Sequence, residues 1–194
     1  MMLPDQTQQR DGMALQAWLV VDIARDPYLL QSIYQHGVTP DFQFLYQDTP
    51  LQTLLEYSPI LLRLTPDSLL WPLLEQPQWQ QNALVIWSAQ CEPSALLRHL
   101  RSLLFMTIDH SLTLVRFYSP ATFHALRQSL SDVRFEQLSG PILGWDYSES
   151  THWQHVAIER GSPFVDDQAD VRKEGWFALS SDEMTSFNNA FLRG

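Results

Sequence analysis

The sequence predicts an α/β fold: a mixed central sheet of about five strands, flanked by helices and followed by a small C-terminal helical lobe. Short apolar segments rich in β-branched residues alternate with amphipathic segments of helical length, and this alternation is typical of an α/β domain. The turn-like tripeptide Asp109-His110-Ser111 directly precedes a strand, which allows an antiparallel pairing and hence a mixed sheet.

The elements follow from local patterns along the chain. Residues 17–23 form a nearly continuous apolar run ended by Asp26-Pro27, which is typical of a strand buried on both faces. The leucines between Leu96 and Leu104 occupy one side of the clearest helix, and Pro93 lies near its first turn. Further strands are predicted at 42–46, 59–64, 83–87 and 112–118, and further helices at 28–36, 65–74 (shortened or kinked by Pro72), 120–130 and after Ser180.

These patterns divide the chain into three parts. Residues 1–16 are a polar N-terminal tail, and residues 17–145 are the α/β domain. Residues 146–194 are a C-terminal extension, in which an acidic loop from 146 to 175 precedes the terminal helix.

Charge and composition exclude several classes of partner. The 194 residues include 12 basic and 22 acidic side chains, for a net charge of −10, so we expect no nucleic-acid partner and no anionic membrane surface. All but one of the basic residues are arginines, which favours defined contacts with carboxylates. A single cysteine, a polar N-terminus and the lack of a long apolar run predict a cytoplasmic protein.

Each candidate catalytic, metal-binding or phosphate-binding pattern in the sequence is incomplete, which favours a protein that is not an enzyme and has no cofactor. Cys91 follows a predicted strand but lacks the flanking glycines of a nucleophile elbow. His152 and His155 have Asp146, Glu149 and Glu159 nearby, but a single pair of histidines without a cysteine or a helix is weak evidence for a metal site, and solvated loop histidines are favoured. The acidic residues at 166, 167 and 170 lack the pattern of a calcium loop. The seven glycines never cluster into a phosphate loop.

One charged pair is predicted inside the fold. Asp22 ends the first strand, and Arg116 lies among apolar residues of the fifth. We expect Arg116 to pair with Asp22 or with Asp109, and a surface-facing Arg116 is the alternative.

Several tryptophans lie in loop-like or proline-rich stretches, namely Trp71, Trp79, Trp145, Trp153 and Trp176. They either fill the core or anchor a protein interface, in which Trp and Arg are frequent energetic centres. We take Trp71, Trp145, Trp153, Arg98 and Arg101 as the candidate partner-binding residues, and the composition is that of a binding protein more than that of an enzyme.

Five segments in order resemble the type VI secretion effector adaptors, the family of effector chaperones called Tap or Tec. They are Val20–Ala24, Leu54–Pro59, Leu96–Arg101, Arg116–Pro120 and Ser139–Ile142, within residues 17 to 145. Two residues depart from the family pattern: Ile23 replaces a usual glycine, and Ser119 replaces a usual aspartate. The hydroxyl of Ser119 is still able to cap the next helix.

The resemblance implies a cytoplasmic protein that binds a cognate secreted effector and promotes its loading onto the VgrG spike. Two other functions stay open at this point. An immunity protein that neutralises a toxin would have a similar composition, and a Cys91-dependent hydrolase is a weaker alternative.

Overall fold

The computed structural model describes residues 9–10, 13–36, 41–88, 93–159 and 173–192. Its strands are β1 (Gln9–Arg10), β2 (Met13–Ala14), β3 (Gln16–Val21), β4 (Phe42–Phe44), β5 (Ile60–Leu64), β6 (Ala83–Ser88), β7 (Phe105–Ile108), β8 (Ser111–Leu114), β9 (Ile142–Glu149), β10 (His152–Ala157) and β11 (Ala178–Leu179). Its helices are α1 (Pro27–His36), α2 (Pro77–Gln80), α3 (Pro93–Ser102), α4 (Pro120–Ser129), α5 (Asp132–Ser139) and α6 (Ser181–Phe191), with 3-10 helices at Gln52–Tyr57 and Trp71–Glu75.

Six strands form the central sheet, in the spatial order β10-β9-β6-β3-β5-β4. Each strand is antiparallel to its neighbours, and β3 and β6 pair along their whole lengths. The α/β class is therefore confirmed, but the central sheet is antiparallel throughout its described residues. The parallel pairing lies in a separate sheet of order β11-β7-β8, between β11 and β7.

Alternating residues of the central strands form two cores, one on each face of the sheet. Trp18 and Val20 of β3 face α3, α4 and α5. Leu19 and Val21 of the same strand face α1, α2 and the 3-10 helix Trp71–Glu75. The sheet is thus covered on both faces, which explains the unbroken apolar run of β3.

The predicted turn between β7 and β8 is confirmed. Asp109 and His110 have φ angles of 48° and 62°, as the two-residue turn of a tight hairpin requires. The fifth predicted strand is shorter than expected, because β8 ends at Leu114 and belongs to the small sheet. Residues 115–119 form a turn that leads into α4.

Two further predictions are corrected. The expected loop from residue 146 is instead the end of β9 and all of β10, and Asp146 of β9 pairs with His155 of β10. The expected helix at 65–74 is replaced by turns and a short 3-10 helix, since Pro72 permits only a tight, short turn there.

The strongest helix patterns are confirmed. Helix α3 begins at Pro93, and α6 begins with the expected capping box, in which Ser180 and Glu183 satisfy each other's backbone N–H groups. No helix in the described ranges has the length and apolar character needed to cross a bilayer.

Helix α3 packs against the end of α5, where the buried His99 lies next to Gly140. His99 Nε2 donates a hydrogen bond to the Leu138 carbonyl at 3.0 Å. Gly140, with φ 54° and ψ −122°, lies so close that a Cβ there would be 2.3 Å from His99 Cε1. Only glycine fits this position, because both the backbone angles and the space exclude a side chain.

We expect Gly140→Ala to destabilise the fold by about 3 kcal/mol, since it adds backbone strain and a clash with a buried ring. Urea unfolding would measure the loss. Gly144→Ala is the matched control: its Cβ would be 3.0 Å from Cε1 of the half-exposed His155, which has room to move, and the expected loss is about 1 kcal/mol. Equal losses in the two variants would contradict this account.

Candidate partner-binding groove

Asp22 and Arg116 are brought together at the end of β3. Arg116 Nη2 donates to Asp22 Oδ2, and the Asp22 side chain is only 1% exposed while that of Arg116 is 39% exposed. The other oxygen, Asp22 Oδ1, has no hydrogen-bond partner among the described residues. A buried carboxylate is costly unless it is paired, so the position of Arg116 is strongly constrained.

Two tyrosines extend this polar cluster. The hydroxyls of Tyr46 and Tyr118 are 2.7 Å apart, and the Arg116 guanidinium lies 5.8 Å from the centre of the Tyr118 ring. Burial and the hydrogen bond to Tyr46 raise the pKa of Tyr118, so its hydroxyl stays neutral. Burial opposes the charge of Arg116, but the Asp22 carboxylate outweighs it and raises the Arg116 pKa.

Arg116 also lies in the turn that leads into α4. The Arg116 carbonyl accepts a hydrogen bond from the Ser119 N–H at 2.9 Å, which closes the turn before the helix. Ser119 occupies the N-cap position, but its hydroxyl makes no capping hydrogen bond. The expected cap is therefore absent, and the first turn of α4 keeps its backbone donors uncapped.

A groove of about 830 Å³ opens at this helix end. Its walls are the loop after β3, the end of α2, the start of α4, the tip of the β9–β10 hairpin and the last turns of α6. Neutral hydroxyl and amide side chains dominate the lining, and the half-exposed ring of Phe191 adds an apolar wall.

Few charged groups line the groove. Arg25 is one, and His124 and Glu149 form a pair with Nε2 and Oε1 3.5 Å apart. His124 Nδ1 lies 3.4 Å from the Tyr147 hydroxyl, whose pKa is raised by burial and by the nearby Glu149 carboxylate. The groove is thus nearly neutral within a chain of net charge −10.

Helix α6 is held in place by Arg134. Arg134 Nε donates to Glu183 Oε1 at 3.0 Å, and its guanidinium lies 4.3 Å from the centre of the Phe177 ring. Burial alone would raise the pKa of Glu183, but hydrogen bonds from Ser180 and Arg134 outweigh it and hold that pKa below its usual range.

His152 and His155 do not form a shared site. They lie on opposite faces of β10, because they are an odd number of residues apart. His155 Nδ1 donates to Asp146 Oδ1 at 2.7 Å, and Trp87 Nε1 donates to Asp146 Oδ2. Within the described residues there is no group of three or more His, Cys, Asp or Glu side chains placed to hold a metal ion.

The candidate tryptophans differ in where they lie. Trp71 and Trp145 are fully buried, so a partner cannot reach them in this fold, and both are removed from the candidate surface. Their indoles fill the two cores, where Trp71 stacks on Trp87. Trp153 is partly buried and donates from Nε1 to the Leu74 carbonyl at 3.1 Å.

The candidate arginines on α3 also differ. Arg98 is exposed. Arg101 is only 16% exposed on its side chain, and it donates to the Phe44 carbonyl at 3.1 Å and to Asp48 at 3.3 Å. Burial lowers the Arg101 pKa despite the nearby Asp48, and the side chain connects α3 to β4.

Some predictions fall outside the described residues. These are the candidate nucleophile Cys91, the acidic residues Asp166, Asp167 and Asp170, and most of the N-terminal tail. The groove itself was not predicted from the sequence. Its residues come from five separate segments, and Ser119-Pro120 was recognised only as a helix start within the fourth segment of the resemblance.

Residues 17–137 match a family described as Domain of unknown function (DUF4123). The match covers more than half of the chain and all of the central strands except β9 and β10, and the chain belongs to this family. Comparisons with curated proteins and with solved structures gave no significant match.

We expect Arg116→Ala to destabilise the fold by about 2 to 4 kcal/mol, because it leaves the buried Asp22 carboxylate without its partner. Adding Asp22→Asn in the same chain should recover part of the loss, since the uncompensated charge is removed. Chemical unfolding would measure both. The control is Arg127→Ala, which breaks the exposed Arg127–Asp132 pair and should cost about 1 kcal/mol or less. A loss for Arg116→Ala as small as the control would contradict the prediction.

We expect Glu183→Gln to flatten the acid limb of the stability profile. The Glu183 pKa is lower in the folded state than in the unfolded chain, so its contribution is complete above the unfolded-state pKa and is lost as the pH falls through the folded-state pKa. Glutamine keeps the capping geometry but does not titrate. Urea midpoints between about pH 6 and about pH 3 would measure the change. An unchanged slope would show that Glu183 does not contribute.

Proposed function

We propose that this chain is an adaptor that binds a cognate type VI secretion effector in the cytoplasm and promotes its loading onto the VgrG spike. The observation that carries the proposal is that the family match at 17–137 contains four of the five segments resembling such adaptors, and the fifth begins two residues beyond it. A chance likeness of short motifs would not be expected to coincide with an independent match over most of the domain.

The contacts of these segments support the proposal indirectly. Asp22 of the first segment pairs with Arg116 of the fourth, and His99 of the third packs on Gly140 of the fifth. Ser58 of the second accepts a hydrogen bond from the Tyr46 N–H at 2.9 Å. The motif residues thus hold elements together, and a family that carries different cargo needs such a common framework.

The groove supports binding more than catalysis. Its lining of amides and hydroxyls, with Phe191 on one wall, suits a polypeptide that offers backbone hydrogen bonds and an occasional apolar side chain. We therefore place the effector-binding surface at the groove. A protein with this role would act by binding alone and need no cofactor.

We expect the chain to co-purify with the effector encoded beside its gene. Deleting the gene should abolish delivery of that effector, since loading needs the adaptor, while the spike still fires. Killing of target cells and release of the spike protein would measure the two effects. Delivery that persists in the deletion strain would contradict the proposal.

Variants of the groove refine the same pull-down. Phe191→Ala removes an apolar wall and should reduce effector capture about fivefold or more. Leu69→Ala, an exposed leucine that does not line the groove, is the matched control and should capture effector normally.

Co-expression separates an adaptor from an immunity protein. An immunity protein protects cells from the toxin domain expressed alone. The adaptor should give no such protection, and its binding should require the targeting region of the effector.

A further inference from the structure

The start of α4 differs from the starts of α5 and α6. Ser131 and Ser180 cap α5 and α6 by accepting hydrogen bonds from backbone N–H groups. Ser119 makes no such bond to α4, and in the described part of the chain the N–H groups of Ala121 and Thr122 have no acceptor. Two backbone donors are therefore available in the first turn of α4.

A buried hydroxyl points to a ligand at the same place. Ser119 is only 5% exposed, lines the groove, and makes no side-chain hydrogen bond to any described residue. A polar side chain with so little exposure normally has a hydrogen-bond partner, and Ser119 Oγ is not one of the fully enclosed unpaired atoms, so a ligand in the groove can reach it. The hydroxyl and the two N–H groups together form a set of donors without an acceptor at the start of α4, where Ser119 and Ala121 line the groove.

The electrostatics favour an anion with a single charge. The N-terminus of a ten-residue helix carries a partial positive charge, and Arg25 also lines the groove. Glu149 opposes an incoming anion, although it is 46% exposed and paired with His124. A carboxylate adds less repulsion against Glu149 than a phosphate with up to two charges.

We propose that the floor of the groove binds the carboxylate of an aspartate or glutamate side chain on an extended partner polypeptide, which completes the cap of α4. The carboxylate accepts from Ala121 and Thr122 N–H and from the Ser119 hydroxyl. The polypeptide source follows from the rest of the lining, where the amides of Gln128 and Asn189 match peptide groups.

The test is an NMR titration of the full chain, followed through the backbone amides of Ala121 and Thr122. The probe is a synthetic peptide, Gly-Ala-Asp-Ala-Gly, acetylated and amidated at its ends. We expect downfield shifts of these two amides, whereas the Arg134 and Glu183 amides of the capped helices α5 and α6 should not move. The same peptide with Asn for Asp should bind about tenfold more weakly, because it offers a neutral acceptor. Added salt should weaken the Asp peptide more.

One substitution tests the site without threatening the fold. Ser119→Asp supplies a carboxylate from within the chain, so it should cap α4, maintain or raise stability, and abolish the response to the peptide. Ser131→Asp at the capped α5 is the matched control and should leave the response unchanged.

Three results would overturn the proposal: no shift at Ala121 and Thr122, a full response in Ser119→Asp, or equal binding of the Asp and Asn peptides. Acetate or inorganic phosphate binding as tightly as the Asp peptide would also overturn it, in favour of a small-anion site. The proposal goes beyond the adaptor role and does not depend on it. Because the probe is synthetic, its failure leaves capture of the effector unaffected, and the converse also holds.

Discussion

The Asp22 carboxylate, buried at the end of the central strand β3, is held by one guanidinium, and the position of α4 depends on that pairing. Arg116 lies in a turn with no strand ladder to hold it, so the charge of Asp22 fixes it instead. Arg101 and Arg134 make comparable cross-links, from α3 to β4 and from α5 to α6. Arg101 and Arg134 each donate from more than one nitrogen of the planar guanidinium and so join elements that are distant in the sequence. A lysine ammonium lacks this fixed, planar set of donors, which is a physical reason for the use of arginine here.

The residues that carry the family resemblance have structural partners within the same set. His99 packs on Gly140, where no side chain fits, and Asp22 holds Arg116. In each pair one residue depends on the other for space or charge, so a substitution of either residue alone leaves a clash or an unpaired group. Ser119 and Pro120, which close the fourth segment, also line the groove.

Local signals predicted β3, α3 and α6, because an apolar run, a leucine stripe and a capping box each act within one segment. The same reasoning failed for β9 and β10. Asp146 and His155 resemble solvated loop residues, yet they satisfy each other across the strands. The burial of Trp71 and Trp145 depends on which elements pack around them, so sequence alone left both core and interface open. The groove could not be predicted either, since it joins five segments that meet only in the folded chain.

The dependence of α4 on the ion pair affects how binding data on this protein are interpreted. Arg116 does not line the groove, but its carbonyl accepts a hydrogen bond from the Ser119 N–H, and Ser119 is the N-cap of the helix that begins at the groove. A substitution at Arg116 therefore changes stability and groove geometry together. Loss of partner binding in such a variant would not identify Arg116 as a contact residue. Substitutions at Ser119 change the donor set while the turn is kept, because its N–H and carbonyl, not its hydroxyl, close the turn and the first helical bond. Contact and framework roles are thus separable at this helix end, because Ser119 side-chain substitutions test binding and Arg116 substitutions test the framework.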